Sequence, residues 1–229
     1  MQILRPQLTL VEQVYEAILS QIESGRYGGD ARLVQEEVAE TLGVSRQPVR
    51  QALLLLRNEG VLMSAPGRGL MVVPLEADKV RHLYDIRASL DALASRKAAE
   101  RGSERARVEG PAFIARGRAA VNADSISEMI AADMAFHHFL YELSGNPLIA
   151  ETAAPHWSYL RCVMGAVLMT ATTPVEIWDQ HDALLQAVIR GDVAAAERLA
   201  SEHIEHAAGG VQKNLNEVLE KQEATRSAA

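Results

Sequence analysis

The segment from Val44 to Leu53 limits the fold of this chain more than any other segment. It predicts a helix that starts directly after a Leu-Gly turn. Ser45 is a good N-cap residue, and Pro48 is tolerated in the first turn because its missing N–H would have no helical partner there. Arg46 and Arg50 are four residues apart and share one face. Such a helix presents two cations and its positive N-terminal end together, which is suited to DNA phosphates.

The neighbouring segments complete a winged helix-turn-helix. A first helix carries apolar residues at four-residue intervals from Leu10 to Ile22, and Gly43 stops a second helix. Two predicted strands surround Ala65-Pro66-Gly67-Arg68-Gly69 and form a wing with an arginine at its tip. The predicted helices cover residues 8–24, 33–42 and 44–60, and the predicted strands cover 61–64 and 70–73. We therefore expect a DNA-binding domain over residues 1–74.

The distribution of charge agrees with a DNA partner although the chain is acidic. The net charge is −7, but residues 43–70 contain four arginines and Glu59 as their single acid. Physiological salt screens exposed charges beyond about 8 Å, so the local basic patch matters more than the total. One such module should bind weakly. We therefore expect a homodimer that reads two half-sites on double-stranded DNA.

The sequence after Pro74 predicts an all-helical domain over residues 75–229. Alanine, leucine and charged residues dominate there, and β-branched runs are rare. Breaks that contain glycine, proline or a good N-cap residue separate six predicted helices at 77–101, 104–121, 125–144, 147–170, 174–190 and 192–222. Short connections favour antiparallel neighbours. The predicted fold class is thus mainly α, with an N-terminal winged helix-turn-helix followed by an antiparallel helical bundle.

Two further features concern the cellular environment. No apolar run approaches the about 20 residues that cross a bilayer, and the first residues lack the charged-then-apolar pattern of a signal peptide. Cys162 is the single cysteine, so no internal disulfide can form, which suits a reducing compartment. We expect a cytoplasmic protein with no membrane partner.

A second set of residues predicts a metal site inside the bundle. Asp133 and His137 are four residues apart on an otherwise apolar helix face. His181 and His203 lie ten and twelve residues from the turn at Gly191, so they stand level on two antiparallel helices. One carboxylate and three imidazoles that converge in a core predict a divalent transition metal. Zinc is favoured, with nickel or manganese as alternatives.

Other histidines leave alternatives open. His138 directly follows the first ligand histidine and is the main rival, although it points about 100° away. His206, three residues beyond the last ligand, could replace it if the helix register is shifted. His82 and His156 have no partner at helical spacing and are expected to be structural or exposed. Each proposed ligand could also be a hydrogen-bonded core residue. Because neutral imidazoles bind the ion, occupancy should fall as the pH drops through about 6.5.

With both sets in view, the chain resembles the GntR family of bacterial transcription regulators. The C-terminal part resembles the ligand-sensing FCD domain of its FadR subfamily. The resemblance covers about Leu8 to His206. It rests on Leu42-Gly43-Val44-Ser45-Arg46-x-Pro48-Val49-Arg50-x-Ala52-Leu53, on Pro66-x-Arg68-Gly69, on Asp133-x-x-x-His137 and on the two later histidines.

The resemblance implies roles for individual residues. The expected DNA contacts are Ser45, Arg46, Gln47, Arg50, Arg68 and Gly69. The Asp-His-His-His set is expected to hold the divalent metal, and the C-terminal domain is expected to mediate dimerisation.

The resemblance also implies an effector site. Arg87 matches an arginine that faces the bundle cavity, where its guanidinium would bind a small carboxylate. The alternative is an internal salt bridge with Asp91, four residues further on. Asn146 matches another family position and is a candidate effector contact. Helix capping is the simpler interpretation of Asn146, and we favour it.

The chain departs from the family pattern in ways that concern the operator. Gln47 stands where threonine is common, and Gln51 stands where glutamate is common. Gln47 could form two hydrogen bonds with adenine, which would change the preferred DNA sequence. Glu36 lies where some relatives carry a DNA-contacting arginine, and its charge would repel phosphate.

Two functions are consistent with these features. In the first, the protein is a dimeric transcription regulator, with a repressor favoured, whose metal-containing domain binds a small carboxylate and reorients the DNA-binding domains. In the second, the bundle is a metal-dependent enzyme with a DNA-binding appendage, because a metal with open positions can activate water. No spare general base accompanies the four ligands. We therefore rank the enzyme lower and expect no catalytic residues.

Overall fold

The computed structural model describes residues 8–27, 31–168 and 176–227. The chain forms two compact units, and the division falls between Pro74 and Leu75. The first unit contains α1 (Leu10–Glu23), β1 (Arg32–Leu33), α2 (Gln35–Leu42), α3 (Arg46–Asn58), β2 (Leu62–Ser64) and β3 (Leu70–Val72). This is the predicted winged helix-turn-helix, with one additional strand.

Local signals explain most of the element boundaries in the first unit. Thr9 and Glu12 form a capping box at the start of α1, with each side chain bonded to the other residue's backbone N–H. Gly43 ends α2 in the left-handed conformation at φ 64°. The predicted apolar face of α1 is confirmed for its later positions, including the fully buried Ile18. It is wrong for Leu10, which is 49% exposed because it lies in the first turn of the helix.

The start of the second helix differs from the prediction. The sequence predicts a helix from residue 33, but Leu33 lies in β1 and pairs with Leu70 in antiparallel register. The sheet order is β1-β3-β2, so β1 forms one edge and β2 the other. A two-residue strand has no periodicity that a sequence pattern could reveal. Its pairing depends on β3, which lies nearly forty residues further along the chain.

In the part of the second unit that the structure describes, the chain forms the six predicted helices. They are α4 (Ala77–Arg101), α5 (Ser103–Asn122), α6 (Ile126–Leu143), α7 (Pro147–Leu168), α8 (Glu176–Ile189) and α9 (Val193–Ser227). The predicted break at Thr172-Thr173-Pro174 lies outside the described residues. Within the described ranges, no helix is both long and apolar enough to cross a membrane.

The packing of the second unit brings four helices around one centre. α4 packs along α9, α6 packs against α4 and α5, and α8 packs against α9 and α5. Close approach of α5 to α8 depends on two glycines seven residues apart. A Cβ at Gly110 would lie 2.5 Å from Leu185, and a Cβ at Gly117 would lie 2.0 Å from Trp178. The faces of α4, α6, α8 and α9 that meet inside the bundle carry the polar residues described next.

Candidate metal centre and nucleic-acid interface

The four predicted ligands converge in the core of the second unit. α6 carries Asp133 and His137, α8 carries His181, and α9 carries His203. One donor atom from each residue lies within 4.8 Å of the others. Asp133 Oδ1 is 3.7 Å from His137 Nε2 and 3.6 Å from His181 Nε2, which is 3.0 Å from His203 Nε2. Ligand atoms about 2.1 Å from a tetrahedral metal lie about 3.4 Å apart, so this donor set is close to the required spacing.

The orientation of His137 is set by a carboxylate that lies behind it. His137 Nδ1 is 2.9 Å from Asp91 Oδ1 on α4, and both side chains are buried. Because a carboxylate only accepts, Nδ1 is the donor, and the Nε2 of the neutral ring carries a lone pair. That Nε2 is buried with no hydrogen-bond partner among the described groups. A carboxylate–histidine pair that presents a bare Nε2 is the usual support of a metal ligand.

His203 is oriented in the same way by an amide. Its Nδ1 donates to Gln180 Oε1 at 2.9 Å, so the Nε2 of the neutral ring carries a lone pair, which faces His181 Nε2 at 3.0 Å. The Nδ1 of His181 is buried with no hydrogen-bond partner in the described structure. The buried lone pair of His137 Nε2, which has no hydrogen-bond partner in the described structure, is costly without a cation. The residues therefore fit a divalent metal ion.

The surroundings favour neutral imidazoles at two of the three histidines. Burial lowers the pKa of His181 to about 3. Burial and the neighbouring imidazoles lower the pKa of His203 well below its usual value. Burial and Arg87 also oppose a charge on His137, but Asp91 and Asp133 beside it outweigh them and raise its pKa. Two ligands are thus deprotonated in advance, and the third is the one on which a proton competes with the metal.

The rival histidines stay outside the ligand set. His138 is half-buried and stacks obliquely near Trp157, with ring centroids 5.5 Å apart. His206 is exposed and lines the adjacent cavity, and His82 is exposed beside Arg81. His156 is half-buried on the wall of a smaller cavity.

Arg87 forms the internal ion pair with Asp91 that the sequence offered as the alternative to effector binding. Its Nε lies 3.4 Å from Asp91 Oδ2, and its Nη2 lies 3.5 Å from Asp133 Oδ2. These separations exceed the 2.7–2.9 Å of strong charge-assisted hydrogen bonds, and Nε has no hydrogen-bond partner in the described structure. The guanidinium lies 4.4 Å above the ring of Trp157. Arg87 is therefore ion-paired and buried, and it still has donor capacity for another anion.

A cavity of about 300 Å³ opens beside this cluster. Arg87, Asp133 and His203 all contribute to its wall. A buried arginine and a candidate metal position thus face the same space, which is large enough for a small molecule.

Asn146 is not brought to this cavity. Its Oδ1 accepts a hydrogen bond from Leu148 N at 3.2 Å, and its own backbone N–H donates to Ser144 Oγ. The side chain caps the start of α7, as the simpler interpretation predicted. A helix terminus needs such a partner because its first N–H groups have none inside the helix.

The predicted DNA-contacting face of α3 lies on the surface of the first unit. Arg46, Gln47 and Arg50 are exposed, while Pro48 and Val49 are buried. Gln35 Nε2 donates to Arg46 O at 3.0 Å and ties α2 to the first turn of α3. Ser45 occupies the N-cap position, but its hydroxyl makes no cap hydrogen bond, so that part of the prediction is wrong. The first N–H groups of α3 consequently have no side-chain cap.

The wing places an exposed arginine and a glycine at its tip. The Arg68 side chain is 75% exposed. Gly69 has φ 93°, and a Cβ there would lie 3.0 Å from Leu33 O. The glycine therefore allows β3 to approach β1, a structural reason that is independent of any DNA contact.

Glu36 lies on this basic surface. Its Oε1 is 2.9 Å from Arg68 Nη2 and 3.6 Å from Arg46 Nη1. Hydrogen bonding to its own backbone amide and the two arginines lower its pKa, so it is ionised. The glutamate thus reduces the local positive charge, as expected from its sequence position, and it also positions the two arginine side chains.

Sequence reasoning missed Asp91 and Gln180 as supports of the ligand histidines. A signal for Asp91 existed, because it lies in a buried stripe of α4 whose members repeat at intervals of three and four. The stripe consists of Tyr84, Arg87, Asp91, Ala94 and Ala98. A charged pair inside an apolar stripe indicates a buried polar network. Gln180 had no such signal, since its neighbour relation to His203 exists only after α8 and α9 pack.

The fold and the exposed face of α3 together define a class of protein, the bacterial transcription regulators with a winged helix-turn-helix and a helical C-terminal domain. The family model described as bacterial regulatory proteins, gntR family, matches residues 10–72. The FCD domain model matches residues 82–206, more than half of the chain. The chain belongs to the GntR family and carries an FCD domain.

Individual relatives agree with this assignment. The chain is 31% identical over 180 residues to an uncharacterized HTH-type transcriptional regulator in an unstable DNA locus of Streptomyces ambofaciens, covering 76% of this chain and 73% of that protein. It is 23% identical over 210 residues to the HTH-type transcriptional repressor RspR of Escherichia coli K12, covering 92% of each. The solved structure of E. coli McbR/YncC has the same fold, with a TM-score of 0.80 at 23% identity over 91% of this chain and all of that one. The family and these relatives are regulators, so the enzyme alternative is set aside.

Proposed function

We propose that this protein is a metal-containing, ligand-responsive repressor of the FadR subfamily that binds operator DNA as a homodimer in the cytoplasm. A small carboxylate bound in the second unit would change the affinity of the dimer for DNA. The observation that carries the proposal is the pairing of two features in one chain. An exposed arginine face lies on α3, and a buried Asp-His-His-His cluster opens onto a cavity lined by Arg87.

The residues that would hold the metal are Asp133, His137, His181 and His203. When bound, the ion would supply a Lewis-acid centre for an anionic oxygen of the effector. Arg87, which lines the same cavity, would donate hydrogen bonds to the same anion. A ligand that prefers one state of the dimer by a few kcal/mol is sufficient to shift the occupancy of DNA.

The DNA assignment is tested with Arg46→Ala/Arg50→Ala and with Arg57→Ala as the matched control. Arg57 is also exposed on α3, but it lies in the last turn, about 16 Å along the helix from Arg46. Fragments selected from genomic DNA by the wild type serve as ligand in fluorescence-anisotropy titrations at several salt concentrations. The double variant should bind at least a hundredfold more weakly, and each lost phosphate contact should lower the salt slope by about 0.9.

Arg57→Ala should retain nearly full affinity and slope, since the one positive charge that it removes lies at the end of α3 opposite the proposed DNA contacts. Equal weakening per removed charge in the two variants would show that only net charge matters and would remove the role assigned to the N-terminal turns of α3. Far-ultraviolet circular dichroism checks that the helical content of each variant is unchanged.

A further inference from the structure

The cavity of the second unit has a wall of two distinct kinds. The polar part includes three members of the cluster described above, Arg87, Asp133 and His203. The other polar side chains of the described wall are Tyr84, His206 and Asn214. The larger part is apolar and includes Met129, Ile130, Met164, Val167, Trp178 and Val211. A ligand that fills this space must therefore be polar at one end and apolar over most of its length.

The size of the cavity limits the ligand. A water molecule occupies about 30 Å³ in the liquid, so a space of about 300 Å³ holds about ten non-hydrogen atoms. Hydroxyl groups spread along such a ligand would lose their water partners against the apolar wall, at a cost for each unpaired group. A sugar acid of the same length is thus a poor match for this surface.

The charge of the loaded centre selects the polar end. Arg87 contributes one positive charge, and Asp91 and Asp133 contribute one negative charge each, all three buried or nearly so. A divalent ion on the four ligands leaves a net charge of +1. The described wall of the cavity adds no further permanent charge. One negative charge on the ligand compensates this centre, while a neutral ligand leaves it unbalanced and a dianion reverses its sign.

We propose that the effector is a monocarboxylate with an apolar body, of about ten non-hydrogen atoms in total. Its carboxylate lies beside Arg87 and the metal position, and its body lies against Met164, Trp178 and the neighbouring apolar side chains. This inference rests on the proposed function, because it names the chemical class of the ligand for the same cavity.

The test uses the full-length, zinc-loaded protein in isothermal titration calorimetry at pH 8 with four probes. Octanoate has the proposed charge and shape, octanamide is its neutral isostere, suberate is a dianion, and gluconate is a hydroxylated monoacid. Octanoate should bind at least tenfold more tightly than each of the other three. From butanoate to octanoate, each added methylene should tighten binding about fourfold, the ratio expected for full burial of one methylene. Release from DNA is measured with the same probes.

Two variants separate the two parts of the proposal. Arg87→Met leaves the loaded centre neutral, so octanoate should lose its advantage over octanamide. Met164→Gln places a polar group on the half-buried part of the wall, so the gain per methylene from butanoate to octanoate should fall. Thermal unfolding of each zinc-loaded variant checks its fold. If Arg87→Met does not fold, the wild-type probe series and Met164→Gln still decide the result.

The outcomes distinguish this inference from the proposed function. If gluconate or suberate binds more tightly than octanoate and releases DNA, the class of effector named here is wrong and the regulator remains ligand-responsive. If octanamide binds as well as octanoate to the wild type, the charge argument is wrong. If none of the four probes nor any other carboxylate binds or releases DNA, the proposed effector function itself fails.

Discussion

Gly117 on α5 allows a sharp test of the packing that positions the candidate metal centre. A Cβ at this position would lie 2.0 Å from Cζ2 of Trp178, so the ring or the helix would have to move by about 1.4 Å to reach an ordinary 3.4 Å contact. Trp178 is 4% exposed, and its ring centroid lies 4.7 Å from that of His181. Gly117→Ala therefore displaces α5 or a side chain that contacts a proposed ligand.

The expected magnitude follows from two opposing effects. Alanine in a helix interior is favoured over glycine by about 1 kcal/mol. Overpacking of a dense core costs about 1–3 kcal/mol. Because the added Cβ would lie so close to the Trp178 ring, the cost of Gly117→Ala should be at or above about 3 kcal/mol, the upper end of that range. The net loss of unfolding free energy should be about 2 kcal/mol. For a domain of this size, that loss lowers the Tm by about 4–8 °C.

The assay is thermal and urea unfolding of the full chain followed by tryptophan fluorescence. The chain has two tryptophans, Trp157 and Trp178, and both lie in the second unit, so the signal reports on that unit. Gly209→Ala is the matched control, because Gly209 is also helical and a Cβ there would have no heavy atom within 4 Å. Gly209→Ala should stabilise the unit by about 0.5–1 kcal/mol. Equal stabilisation by both variants would refute the close approach of α5 to Trp178.

Two further predictions concern the metal. Gln180→Ala removes the acceptor that orients the His203 imidazole. It should weaken zinc affinity about 10–100-fold in a competition titration with a chelator. Gln186→Ala, at an exposed position on the same helix, should leave the zinc affinity unchanged. Equal affinities for the two variants would argue against the orienting role. Zinc affinity should also fall as the pH is lowered. His137 has a raised pKa and takes up the proton that competes with the metal. Burial lowers the pKa of His181 to about 3 and keeps that imidazole neutral. Below the ordinary histidine pKa of about 6.5, the affinity should therefore fall about tenfold per pH unit, because one proton competes with the metal. A fall approaching a thousandfold per unit, as expected for three ordinary imidazoles, would contradict the difference in pKa among the ligands.

The sequence was sufficient for features that depend on neighbouring residues. The end of α2 follows from the local breaker Gly43, its C-cap residue, and the start of α4 at Ala77 also agrees with the prediction. Asp133 and His137 share a face because of the helical repeat alone. His181 and His203 could be placed level because one short turn joins two helices of known rise, and the structure brings their Nε2 atoms to 3.0 Å.

The sequence was insufficient where a partner lies far along the chain. The helical pattern extends to Leu33, but its strand partner is Leu70, which lies far along the chain. Glu36 contacts Arg68 only because the wing folds back against α2. Asp91 lies 46 residues before His137, and no spacing rule connects them.

What the sequence by itself determined is the class of protein and the identity of its chemical groups: an arginine face on a short helix, and a carboxylate with three imidazoles on an all-helical domain. The tertiary structure alone decided how those groups behave. Burial and long-range packing lower the pKa of two imidazoles, leave Arg87 with donor capacity, and surround the cavity with an apolar wall. The physical reason is that helix formation depends on contacts within about one turn, whereas charge, desolvation and cavity shape depend on every element packed around a residue.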